Sequence, residues 1–253
     1  MHRFFIEPHA VCGNEAVLTG EDVQHIAKVL RLRAGDEVTL CDGAKTEYTA
    51  RIDSVEKERI TLCILETAAS KTESAVEITL YQGLPKAGKL ETIIQKCVEL
   101  GIGKVIPFDA ERSVVKLSEK DFAKKQSRYQ RVAYEAAKQS RRGIIPEVGE
   151  SLKFKEMVEE LDQYDLILFP YENEEGTTIK DCLREVVRRV QAGEAELPKR
   201  VCIIIGPEGG FADKEAAMLD EAGAQRVSLG KTILRTETAG PAALAMTMYE
   251  LEL

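Results

Sequence analysis

Two kinds of hydrophobic spacing divide the chain. Up to about residue 70, apolar and polar positions alternate over short runs, at 37–41, 48–55 and 60–65, which is the period of half-buried strands. Ala34-Gly35-Asp36 and Asp42-Gly43 supply the turns between them. One helical spacing interrupts this part: Val23, Ile26, Ala27 and Leu30, opened by Thr19-Gly20-Glu21-Asp22. Several short strands around one helix predict a small β-barrel over residues 1–70. The polar stretch 67–74 reads as a linker.

From Val76 onward strands and helices alternate. Apolar runs at 78–82, 104–108, 165–169, 201–205 and 225–229 predict strands. Helical spacings at 86–100, 119–141, 154–161, 178–191, 213–222 and 238–251 separate them. Gly101 is placed as the C-terminal stop of the first of these helices. Such alternation predicts an α/β domain over 75–253, with a mostly parallel sheet covered on both faces.

Composition narrows the function without choosing it. A net charge of −8 excludes a general nucleic-acid adhesive, since non-specific affinity comes from neutralising phosphates, but it allows clustered basic residues. Six cysteines without a C-x-x-C pair read as core residues of a reducing compartment. Only His2, His9 and His25 are present, and no Cys/His cluster exists, so no metal is expected. MHRFFIEP carries no apolar run of signal length, and no stretch approaches the roughly 18 apolar residues of a membrane helix. The expectation is a soluble cytoplasmic protein without a membrane partner.

Candidate chemistry falls on three loops that follow strands of the second part. They are Phe169-Pro170-Tyr171-Glu172, Gly206-Pro207-Glu208-Gly209-Gly210-Phe211, and 229–239 with the sequence LGKTILRTETA. In open α/β sheets, ligands bind beyond the carboxyl ends of strands. Glycines in such loops permit close backbone approach, although any one of these loops alone also reads as a plain tight turn. Gly230-Lys231-Thr232 looks like the end of a P-loop, but the glycine that motif needs is Gln225. Gly101-Ile102-Gly103 begins like a dinucleotide fingerprint, but the third glycine falls on Ile106 and the segment follows a helix. What remains is a pocket without a phosphate cradle, and S-adenosylmethionine, which has no phosphate, suits it.

The segments IGPEGGF (205–211) and SLGKTILRTETA (228–239) resemble the SPOUT methyltransferases, most closely the ribosomal RNA small subunit methyltransferase E family. MHRFF, HIAKVLRLRAGD (25–36) and QSRR (139–142) are similar to that family too. The resemblance implies a PUA-like N-terminal β-barrel that binds RNA and a C-terminal α/β domain with a trefoil knot. It implies a homodimer, with S-adenosylmethionine as methyl donor and N3 of a uridine in 16S rRNA of the small ribosomal subunit as target. Carried onto this chain, cofactor contacts fall on Pro170, Tyr171, Gly206, Pro207, Glu208, Gly209, Leu229, Gly230, Ile233, Leu234 and Thr238. For Ile233 and Leu234, core packing is an equal reading. Arg235 is a candidate for stabilising charge on the uracil carbonyls, and Glu237 or Glu172 for accepting the N3 proton. Arg3, Lys28, Arg31, Arg33, Arg141 and Arg142 are candidate RNA contacts. The last helix, with Ala242, Ala243 and Ala245, is read both as core and as dimer interface. A ribose 2′-O-methyltransferase with similar loops, or a non-catalytic RNA-binding protein that keeps the fold, are the rival readings.

Overall fold

A computed structural model describes residues 2–86, 88–116 and 119–251. Contacts divide the chain into two units, 1–73 with 137–145, and 74–136 with 146–253.

The first unit is a six-stranded sheet with spatial order β1-β4-β5-β6-β3-β2. Its strands are β1 (His2–Phe5), β2 (Val11–Cys12), β3 (Glu15–Thr19), β4 (Glu37–Cys41), β5 (Thr46–Val55) and β6 (Arg59–Ala69). Only the β1–β4 pair is parallel. Alternate residues Leu18, Val38, Leu40, Ala50, Ile52, Ile60 and Leu62 point to one buried cluster. Helix α1 (Glu21–Gln24) continues as a π-turn, His25–Leu30, and adds Val23 and Ile26 to that cluster.

The linker expected at 67–74 is shorter than its composition suggests: the boundary between the units falls at 73/74 and no strand or helix covers 70–74, but the stretch begins inside a strand. Thr67–Ala69 are the end of β6 and pair with Thr46–Tyr48. The polar composition is misleading because the ten-residue β5 outruns the apolar part of its neighbour and needs backbone partners along its whole length. Beyond it, Glu73 is buried against the guanidinium of Arg142, at 2.6 Å to Nη2 and 3.1 Å to Nε, and accepts the Gly143 N–H at 2.6 Å. Burial pushes the Glu73 carboxyl up, but these donors outweigh it and hold the group below the usual carboxylate range.

Arg142 is therefore not an RNA contact: it is 5% exposed and both ends of its fork are occupied. Arg3, expected in the same role, is half-buried. Its guanidinium donates to Glu47 Oε2 at 3.0 Å and to the Arg141 carbonyl at 2.8 Å. Lys28, Arg31, Arg33 and Arg141 are exposed.

The second unit holds a parallel sheet, with order β10-β8-β7-β12-β11-β13 and β9 also paired to β8. The strands are β7 (Glu77–Gly83), β8 (Lys104–Asp109), β9 (Glu147–Val148), β10 (Leu152–Lys153), β11 (Leu166–Pro170), β12 (Arg200–Ile205) and β13 (Gln225–Val227). Helices α2 (Lys89–Glu99), α3 (Glu119–Gln139), α4 (Phe154–Glu159), α5 (Ile179–Gln191), α6 (Asp213–Glu221) and α7 (Thr236–Leu251) connect or follow them. The last turn of α3 belongs to the first unit. Strand alternation sends Tyr81, Phe108, Phe169, Cys202 and Ile204 into one aromatic-rich cluster with Phe211. Leu80 and Gln82 face the other way, against Gly240 of α7. Because every pairing is parallel, the carboxyl ends of β7, β8, β11, β12 and β13 lie along one edge.

The six cysteines are free thiols. Burial pushes Cys41 up to about 12 and raises Cys97 and Cys202 as well, which fits core residues rather than reactive ones.

Replacing Arg142 by Met strands a buried carboxylate and should cost about 3–5 kcal/mol in a denaturant titration near neutral pH. Glu73 has a lowered folded value, so its contribution is complete above the normal carboxylate range and fades as pH falls through that lowered value. The stability difference between Arg142→Met and the original chain should therefore shrink in acid.

Candidate active site

Three adjacent strands, β12, β11 and β13, end in the loops that the sequence marks, and they end at the same edge. The glycines there bring protein segments together. At Gly209 an added Cβ would stand 2.8 Å from the Arg112 carbonyl oxygen, so this glycine lets the loop after β8 pack on the loop after β12. Gly210 has φ +65°, and a Cβ there would meet Glu172 Oε1 at 2.5 Å. The loop after β11 is thus pressed against the loop after β12 from the other side.

A buried polar relay fixes where α7 begins. The Thr236 hydroxyl donates to the Gly206 carbonyl at 2.8 Å. It accepts from Gln82 Nε2, also at 2.8 Å, and that same amide donates to the Gly83 carbonyl at 3.0 Å. Gln82 has no solvent exposure. One side chain of β7 thereby joins its own strand end, the loop after β12 and the first turn of α7.

A charged cluster closes the same junction at the rim. Lys89 Nζ, in the first turn of α2, lies 3.0 Å from Glu208 Oε1 and 3.0 Å from Glu237 Oε2. Glu208 also accepts the Lys86 N–H at 3.1 Å. Burial raises the Glu208 carboxyl, but Lys89 and the backbone donors prevail and lower it. The backbone N–H of Glu237 and then Lys89 lower Glu237. Both carboxyls stay anionic, and a carboxylate held down in this way is a weaker proton acceptor.

The remaining residues marked from sequence divide into packed and open ones. Pro207 is buried, and Gly206, Pro170 and Tyr171 are half-buried. The Tyr171 ring lies 5.2 Å from that of Phe169 and carries the Arg226 guanidinium 4.8 Å from its centre. Leu229 and Leu234 are half-buried, whereas Ile233 is 83% exposed, which removes core packing as its explanation. Gly230 has open space around an added Cβ. Arg235 and Thr238 are exposed on the same segment. The tie between loop and helix comes from the Thr236 side chain, two residues before Thr238.

The scan of family models matches an RNA methyltransferase domain over residues 72–248 and an RNA methyltransferase PUA domain over 18–65. The small subunit rRNA methyltransferase E of Bacillus subtilis (strain 168) is 36% identical over 256 residues, spanning 100% of this chain and 98% of that protein. A crystal structure of the Neisseria gonorrhoeae methyltransferase E bound to S-adenosyl methionine superposes with a TM-score of 0.81 at 31% identity, covering 98% of this chain and 97% of the other. A Legionella pneumophila methyltransferase solved with bound cofactor SAM gives 0.78 at 30% identity, over 98% and 96%. The chain belongs to the ribosomal RNA small subunit methyltransferase E family. Its second unit is accordingly a SPOUT-type α/β domain, and its first carries the PUA segment.

All the loops of this methyltransferase E site fall inside the 72–248 match. Sequence reasoning missed Gln82, Lys89 and Thr236. Gln82 carried a signal, a lone amide in the apolar strand EITLYQG, while Lys89 carried none.

Thr236→Val should remove the hydroxyl donor from the Gly206 carbonyl and leave the Gln82 amide with only its bond to the Gly83 carbonyl, in a largely buried site. The expected loss is about 1–3 kcal/mol by chemical denaturation, with Thr236→Ser retaining most of the stability.

Proposed function

We propose that this chain transfers the methyl group of S-adenosylmethionine to N3 of a uridine in 16S rRNA of the small ribosomal subunit. The observation that carries the reading is the loop 229–234, with exposed Ile233 and half-buried Leu229 and Leu234, at the same carboxyl edge of a parallel sheet as the loops that carry Glu172 and Glu208 and the helix start that carries Glu237. That donor set fits the cofactor. An exposed Ile233 and half-buried Leu229 and Leu234 suit the faces of an adenine, free space above Gly230 lets a ring approach the backbone, and the carboxylates suit a cation. S-adenosylmethionine, when bound, supplies an electrophilic methyl on a sulfonium sulfur.

The chain's own residues then have distinct tasks. The Gln82–Thr236–Gly206 relay holds the loops in one geometry, which is the main demand of an in-line displacement. Arg235 offers an exposed guanidinium next to the cofactor segment, suited to charge developing on uracil oxygens as N3 loses its proton. Glu172 is the better acceptor for that proton, because Glu237 is ion-paired to Lys89 and lowered. The target base must leave its stack to reach this edge.

The same reading places RNA affinity on the PUA-bearing unit and a trefoil knot in the α/β domain. It gives α7 a homodimer role: Ala245, Met246 and Tyr249 are exposed together there, Tyr249 at 68%, one helical turn apart. It also implies a cytoplasmic enzyme; no helix among the described residues is long and apolar enough to cross a membrane. Among the described residues no group of His, Cys, Asp and Glu is arranged to hold a metal ion.

Small subunits that lack the modification, incubated with the protein and labelled S-adenosylmethionine, should yield N3-methyluridine on nucleoside mass spectrometry. A ribose methyl, or no label, overturns the assignment. Arg235→Ala should lower the rate by about 10²–10³ while sparing cofactor affinity, measured by single-turnover transfer and calorimetry. Tyr249→Glu should shift the protein toward monomer in sedimentation velocity.

A further inference from the structure

We infer that Arg31 and Arg141 are direct contacts to RNA phosphates, kept at two backbone positions that this chain elsewhere gives to glycine. The inference rests on the rRNA methyltransferase reading above.

Four helices end in one hydrogen-bonded motif. In α2, the N–H groups of Gly101 and Ile102 donate to the carbonyls of Val98 and Cys97. In α5, Gly193 and Glu194 donate to Val190 and Arg189, and in α6, Gly223 and Ala224 donate to Asp220 and Leu219. The left-handed residue in each case is glycine, with φ of 104°, 71° and 85°. Helix α3 closes with the same pair, Arg141 to Lys138 and Arg142 to Ala137, but its left-handed residue is Arg141, at φ 60°. The π-turn after α1 also ends on a left-handed arginine, Arg31, at φ 56° and ψ 34°. A Cβ makes this conformation unfavourable, which is why helices so often end on glycine.

Among the described residues, a third non-glycine residue has positive φ, Lys45 at 80°. Its N–H donates to the Gly143 carbonyl, which places it beside the Arg141 turn. All three are basic and exposed, although Lys and Arg make up only 35 of 253 residues. All three lie in the first unit.

Attraction of a cation to a helix C-terminus does not account for this, since α2 and α5 carry Lys96, Arg188 and Arg189 in their last turns and still place glycine at the left-handed position. Nor does ion pairing. The neighbouring Arg142 and Arg3 are held by Glu73 and Glu47, while neither Arg31 nor Arg141 has a carboxylate partner among the described residues. An unpaired guanidinium retained against the backbone's preference suits a ligand from outside, and its planar fork matches the two oxygens of a phosphate. RNA, whose backbone presents such groups at every residue, is the partner that a PUA-bearing unit offers.

The test uses the full chain with Arg31→Gly, Arg141→Gly and both together. Binding to small ribosomal subunits lacking the methyl group is measured over a series of salt concentrations, alongside thermal melting and S-adenosylmethionine affinity. Glycine relieves the backbone, so melting should stay level or rise and cofactor affinity should not move. Subunit affinity should fall at least tenfold in the double variant, and the log–log salt slope should become shallower by about one per arginine removed. Unchanged affinity and slope would overturn the inference, and so would a joint fall of melting temperature, cofactor affinity and subunit binding, which marks a structural cap. If the unaltered protein fails to methylate the subunits, the activity reading fails instead; if it methylates while the glycine variants bind normally, only the phosphate contacts are lost.

Discussion

The Thr236 hydroxyl stands between the fully buried Gln82 amide and the Gly206 carbonyl, in a place solvent scarcely reaches. A hydrogen bond exposed to water would add little order, because water offers an equal partner. Sealed in, each of these groups has one satisfactory geometry, and losing it leaves a desolvated polar atom. The relay thus converts the rigidity of the central strand β7 into rigidity of two loops that sheet pairing alone would leave free. The Lys89 cluster sits over the same junction but is partly solvated, so its worth lies less in stability than in fixing two carboxylates as anions.

Charge is divided between the units in a way that net charge hides. The carboxyl edge of the second unit carries Glu172, Glu208 and Glu237, two of them paired to Lys89, a charge set compatible with a cationic methyl donor. The first unit carries exposed Lys28, Arg31, Arg33, Lys45 and Arg141, suited to a polyanion. A chain of net charge −8 can therefore act on RNA without adhering to it indiscriminately.

Local pattern made much of this legible. The period-two runs and the strand–helix alternation correspond to the two sheets, and the unusual loops stand at the edge where a parallel sheet binds ligands. What the sequence hid is long-range pairing. Gln82 and Thr236 meet across most of the second unit, and nothing near Lys89 announces its two carboxylates. Arg141 and Arg142 are neighbours with opposite fates, because a left-handed turn swings one outward and buries the other against Glu73. The polar composition of 67–74 marks the boundary between the units but hides that Thr67–Ala69 extend β6 and that Glu73 holds an ion pair.

Amide hydrogen exchange of the protein, with and without saturating S-adenosylmethionine, tests the central claim most directly. The account predicts slowed exchange in 206–211 and 229–236, with the strand cores unchanged. Equal exchange in both loops with the donor present, or protection confined to another part of the molecule, would contradict it.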